Sequence, residues 1–178
     1  MRHHVLVPAP SGRPYRVTFV CSGNICRSPM AEVVFARMVA GADLGDRVVV
    51  DSAGTGDWHV GERADARALE ALRRQGYDGS AHRARQFDAA DFATTDLVVA
   101  LDSGHARTLK AWAGRTEHAD RVVLLRSFDA DLPDDAEDHA LEVADPYYGG
   151  PEGFDEVFAQ VHAAGRGLLG RVQADLAS

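Results

Sequence analysis

The chain has 178 residues, 46% of them hydrophobic and 26% charged, which is ordinary for a globular domain. At that length one compact unit buries roughly two thirds of its unfolded surface without help from disulfides or metal. The 19 Lys and Arg against 27 Asp and Glu leave a net charge of −8, which opposes generic binding to nucleic acid or to an anionic membrane and favours protein or small-molecule partners.

Residues 1–14, MRHHVLVPAPSGRP, contain only Val5-Leu6-Val7 as an apolar run, too short for the core of a signal peptide. They are expected to form a flexible tail ahead of a single domain over 15–178. No run approaches the ~20 apolar residues of a membrane span. Two cysteines five positions apart are too few and too close to brace a secreted fold and fit a reducing, cytoplasmic compartment.

Past the tail, short apolar runs alternate with helical patterns, the signature of β-α-β units building a parallel sheet. Strands are expected over 16–21, 47–51, 96–101 and 121–125, all rich in Val or Leu, as suits strands covered on both faces. Helices are expected over 29–39, starting at Pro29, over 65–74 ending before Gly76, and over 103–112 ending near Gly114. A last helix, 152–176, carries Gly165, Gly167 and Gly170 in its middle. The segment 126–145 holds eight carboxylates against one arginine and reads as a solvated loop, apart from its last residue, Asp145.

The stretch VCSGNICRSPMAE, residues 20–32, is a strand end, a tight turn and a helix start. Backbone N–H groups and the positive end of a helix converge on an anion at such a place, and a phosphate fits there. It is not the nucleotide-binding P-loop, since the paired glycines followed by Lys and Ser or Thr are missing. Instead Cys21 is followed six positions on by Arg27 and then Ser28. A cysteine in that setting is favoured as a thiolate, the attacking form. Arg27 can grip two phosphate oxygens at once, and Ser28 can donate a hydrogen bond to the sulfur when it leaves. Gly23 and Asn24 tolerate the left-handed backbone such a loop requires. The competing reading, a buried strand-end cysteine beside a surface arginine, does not account for so many suited neighbours.

These residues resemble the low-molecular-weight protein tyrosine phosphatases, above all their actinobacterial members. The resemblance runs through FVCSGNICRSPMAE at 19–32, DSAGTGDWHVGERADARA at 51–68, HRARQF at 82–87, LVVALDSGHAR at 97–107 and DPYYGG at 145–150. It implies an α/β fold, a doubly wound four-stranded parallel sheet with helices on both faces and a phosphate-binding loop after the first strand. It implies Cys21 as nucleophile, Arg27 as phosphate clamp and Asp145 as general acid and base, with Ser22, Gly23, Asn24, Ile25, Cys26, Arg27 and Ser28 forming the loop. By the same resemblance Trp58, His59, Tyr147 and Tyr148 border the substrate, Trp58 and Tyr147 as walls of a deep slot for a phenol ring. Asn24, Ser28, Ser52 and His82 form the polar network behind the loop. Phosphotyrosine proteins are the implied partners, and Tyr147 and Tyr148 are candidate targets of a tyrosine kinase. No cofactor and no metal are implied, and the remaining histidines form no ligand set.

Two other functions are weighed. Arsenate reduction on the same fold passes oxidation along later cysteines, and none follows Cys26. A non-catalytic anion-binding module has no use for a nucleophile or for Asp145, and both are kept. Cys26, sharing the turn with Cys21, is expected to condense with an oxidised Cys21 and protect it.

Overall fold

A computed structural model describes residues 6, 9, 12–114 and 116–178. Four strands form one parallel sheet: β1 Tyr15–Cys21, β2 Val48–Gly54, β3 Leu97–Ala100 and β4 Val122–Leu124, in the order β2-β1-β3-β4. Side chains alternate across β1. Val17, Phe19 and Cys21 face one core with helices α1 (Arg27–Gly41), α2 (Ala66–Arg74) and α5 (Pro151–Ala177), while Val20 joins Leu109 and Ala113 of α3 (Ser103–Ala113) on the other. The sheet is thus wound on both faces, as expected. Chain connections leave β1 toward β2 on one side and return to β3 on the other, so the crevice at the end of β1 is the switch point where such sheets take ligands.

Local chemistry explains the helix limits. The Asp65 side chain caps α2 by accepting the Arg67 N–H, and Arg73 and Arg74 lie against its negative end. Asp102 caps α3, which stops at Gly114 in the left-handed region. α1 begins at Arg27, two residues before the expected start, because Pro29 needs no amide partner in a first turn. α5 runs unbroken through its glycines. A Cβ on Gly165 would lie 3.0 Å from Met38 Sδ and one on Gly167 only 2.1 Å from the Phe128 carbonyl oxygen, so both glycines permit close packing.

Several expectations need correction. β2 extends to Gly54 because Ser52, Ala53 and Gly54 stay in register with Phe19, Val20 and Cys21; the polar Asp51 and Ser52 hid this, since their side chains bond to neighbours within the fold. Short helical turns at Ala89–Ala93, α4 Thr116–Ala119, Leu125–Phe128 and Asp138–Leu141 were not legible. The acidic segment is only partly a solvated loop, for Asp129 is buried against Arg126 and Glu142 accepts hydrogen bonds from the Ser103 hydroxyl and N–H. The expected tail over 1–14 lies largely outside the described residues. Of its residues, Ala9 donates to the Asp175 carbonyl at 3.2 Å, and Arg13 pairs in two-point fashion with the buried Asp96 at 2.7 and 2.8 Å. Among the described residues no helix is long and apolar enough to cross a membrane.

Candidate active site

The loop from Cys21 to α1 curls because Asn24 adopts φ 56°, a left-handed conformation asparagine tolerates. Asn24 is fully buried and fixed from four directions. Its carbonyl accepts from His82 Nε2 at 2.7 Å, and its side-chain oxygen accepts the Arg85 N–H at 2.9 Å. Its amide nitrogen donates to Ser28 Oγ at 2.8 Å and Ser52 Oγ at 2.9 Å. Both hydroxyl oxygens are therefore acceptors toward Asn24, and their protons point onward. That of Ser52 goes to Glu32, and that of Ser28 has two acceptors in reach, Cys21 Sγ at 3.0 Å and the Ala53 carbonyl at 3.3 Å. His82, whose side chain is largely covered, also lies 3.5 Å from Glu32. The structure thus brings Asn24, Ser28, Ser52 and His82 into one chain ending at the Cys21 sulfur.

Arg27 is buried at the helix start. Its Nη1 donates to Asp102 Oδ2 at 2.9 Å and to the Val143 carbonyl at 3.1 Å, and its Nη2 lies 3.6 Å from Asp145 Oδ2. Asp145 is half exposed at the mouth, where its Oδ1 accepts the Tyr147 N–H at 3.1 Å. The chain reaches that point because Val143 donates to the Leu101 carbonyl at 2.8 Å and Glu142 holds the start of α3. A cleft of about 400 Å³ opens above, lined by Cys21, Ser22, Gly23, Ile25, Cys26, Arg27, Trp58, His59, Asp145, Tyr147 and Tyr148.

The aromatic residues stand differently from the expected deep walls. Trp58 is 70% exposed and Tyr148 91%, so they form a rim, with Tyr147 edge-on to Tyr148 at 5.0 Å. His59 is held by Glu62 at 2.8 Å and packs over Gly23. Cys26 is buried, and burial foremost, helped by the charge of Asp65, pushes its thiol up to about 12.

Sequence reasoning missed five residues here. Asp102 orients Arg27, His105 contacts both Asp102 and Ser22, and Glu32 ends the Asn24 network. Glu142 anchors the segment before Asp145. Arg67 donates to the Tyr147 carbonyl at 2.9 Å and stacks over the Phe154 ring at 4.7 Å. The only signal for Asp102 was its place as a cap before Ser103.

A family model described as low molecular weight phosphotyrosine protein phosphatase matches residues 16–178. The chain is 52% identical over 159 residues to a low molecular weight protein-tyrosine-phosphatase of Streptomyces coelicolor, covering 89% of this chain and 94% of that one. Among solved structures it is similar to YfkJ from Bacillus subtilis, with a TM-score of 0.82 and 33% identity over 93% of this chain and 99% of that one. It is also similar to a Drosophila arginine phosphatase, with a TM-score of 0.77 and 31% identity over 88% and 97%.

Proposed function

Because the chain belongs to the low molecular weight phosphotyrosine protein phosphatase family and is a phosphatase, we propose that it hydrolyses phosphotyrosine on proteins through a phosphocysteine intermediate. The observation that carries this is the Cys21 sulfur at the floor of the cleft, 3.0 Å from a hydroxyl whose oxygen is already an acceptor toward Asn24. Cys21 attacks phosphorus, the S–P bond forms, and the P–O bond to the phenol breaks. Asp145, protonated, gives its proton to the departing oxygen. In the second step Asp145 takes a proton from water, which attacks phosphorus; the S–P bond breaks, and Ser28 donates to the leaving sulfur. Arg27 Nη1 is occupied by Asp102 and Val143, so its remaining N–H groups bind the transferring phosphoryl oxygens.

The cleft lining favours an aromatic ester over a phosphorylated guanidinium. Ile25, Trp58, Tyr147 and Tyr148 offer apolar and aromatic surface, and Asp145 is the one carboxylate among the lining residues. A guanidinium leaving group would sit near Arg27 with a single carboxylate to offset it. Tyrosine-phosphorylated proteins are then the partners, and Tyr148 is exposed enough to be a kinase target.

Matched peptides carrying phosphotyrosine, phosphoserine and phosphoarginine test the substrate class, with phosphotyrosine expected to turn over fastest. Asp145→Ala should lower turnover by ~10²–10⁴ for an alkyl-substituted phenyl phosphate and far less for p-nitrophenyl phosphate, whose anion leaves without a proton. Equal losses would remove Asp145 from the acid role, and turnover surviving in Cys21→Ser would remove the covalent route.

A further inference from the structure

The hydrolytic steps leave one buried imidazole at the site without a task. His105 lies in the first turn of α3, and its Nε2 is 2.8 Å from the hydroxyl of Ser22, the residue directly after the nucleophile. Its Nδ1 is 3.1 Å from Asp102 Oδ1 without being aligned for a hydrogen bond, and the same oxygen accepts the His105 backbone N–H at 2.8 Å. The other oxygen of the same carboxylate holds Arg27. We propose that His105 is a positioning residue that joins the first residue of the phosphate loop to the carboxylate orienting Arg27. The inference rests on the catalytic reading of the cleft given above.

Proton placement sets the direction of the link. With a carboxylate beside Nδ1, the proton of a neutral imidazole belongs on Nδ1, since a lone pair there would face negative charge. Nε2 is then an acceptor, and the Ser22 hydroxyl donates to it. Burial first, and the charge of Arg27 as well, hold the imidazole down at about 4 against the pull of Asp102. His105 therefore works near neutral pH as a hydrogen-bond acceptor rather than as a charge. The Ser22 carbonyl accepts the Gly56 N–H at 2.9 Å, so Ser22 is fixed by its backbone to the turn just past β2 and by its side chain to α3. Both fixings determine where the loop amides point, and the effect falls on phosphate binding more than on bond breaking.

Glutamine and asparagine separate the two sides of the imidazole, since a glutamine amide reaches the Nε2 position and an asparagine amide only the Nδ1 position. His105→Asn should raise KM for p-nitrophenyl phosphate and the inhibition constant of inorganic phosphate by ~3–10-fold, the size of one ordinary hydrogen bond, with a smaller change in kcat. His105→Gln should stay within about twofold of the parent enzyme. Ser22→Ala should reproduce the asparagine effect, and the double variant should be no worse than either single one. Nitrogen-15 NMR of the unaltered protein should show Nδ1 protonated and Nε2 accepting, a readout independent of whether the variants fold. Additive losses in the double variant, glutamine as harmful as asparagine, or the opposite tautomer would each overturn the link. Failure of the catalytic reading looks different, because turnover would then survive Cys21→Ser.

Discussion

Asp102 serves Arg27 and α3 with different oxygens of one carboxylate: Oδ2 accepts from Arg27 Nη1 at 2.9 Å, while Oδ1 caps the helix through the His105 N–H at 2.8 Å. The two tasks can be separated by substitution. Asparagine caps helices about as well as aspartate, so Asp102→Asn should keep α3 capped, and any fall in melting temperature should come from the buried guanidinium that now faces an amide NH2. It loses the charge that holds the guanidinium, and hydrogen bonds to charged groups are the stronger kind, so kcat/KM should fall by ~10–100-fold. A fall in melting temperature with catalysis intact would reverse this assignment.

Trp58 lies so close to Gly56 that a Cβ there would sit 1.9 Å from the indole ring. Gly56→Ala must therefore swing the ring away from its place at the rim. KM for a phosphotyrosine peptide should rise by ~2–10-fold, the value of one aromatic contact, while inhibition by inorganic phosphate, which never reaches the rim, stays the same. Equal changes in both would mean that the substitution had deformed the loop instead.

The buried His105 makes stability depend on pH. In the fold its proton affinity is lowered to about 4, chiefly by burial and also by Arg27, with Asp102, Asp145 and Glu142 facing it and pulling the other way; the ordinary value is 6.5. Because the folded value is the lower one, the stability from the neutral imidazole is complete above 6.5 and is lost as the pH falls from there through 4. The loss is on the order of 3 kcal/mol across that window. Denaturant titrations at successive pH values should show His105→Gln declining less than the parent chain over this range, and superimposed curves would discount the imidazole as the cause.

Peroxide should oxidise Cys21 to the sulfenic acid, with which the Cys26 thiol condenses to a disulfide and water. Only the thiolate of Cys26 attacks, and burial holds that thiol near 12. Ring closure should therefore be slow at neutral pH and quicken about tenfold per pH unit toward the alkaline side. Mass spectrometry of quenched samples follows the bridge, and Cys26→Ser should recover poorly with dithiothreitol. Full recovery of that variant would make Cys26 a packing residue alone.

The residues around Cys21 were legible because their evidence is contiguous: an apolar strand, a turn with Gly23 and Asn24, and a proline-marked helix start all lie within one short stretch. Ser52 and His82 could be placed behind the loop only by family resemblance, since each becomes a partner of the Asn24 loop only once the fold brings their distant positions together. Asp102 and His105 escaped notice for a related reason. An aspartate before a helix looks like any cap, and the work of its second oxygen exists only because β1 and β3 are neighbours and bring Arg27 beside α3. Glu142 was lost among like charges, where composition argued for solvent. The glycines of α5 argued against a helix by propensity, and close packing against Met38 and Phe128 overrode that cost.

Neither Gly167 nor Phe128 lines the cleft. Yet Phe128 ends the turn Leu125–Phe128, and the same segment runs on through Glu142 to Asp145. The segment leading to Asp145 is thus held at two points, at Glu142 by Ser103 and at Phe128 by the close approach of α5. A single methyl group added at Gly167 would have to displace the Phe128 carbonyl, so the back helix must stay bare at that point for the turn that opens the acidic segment to keep its place.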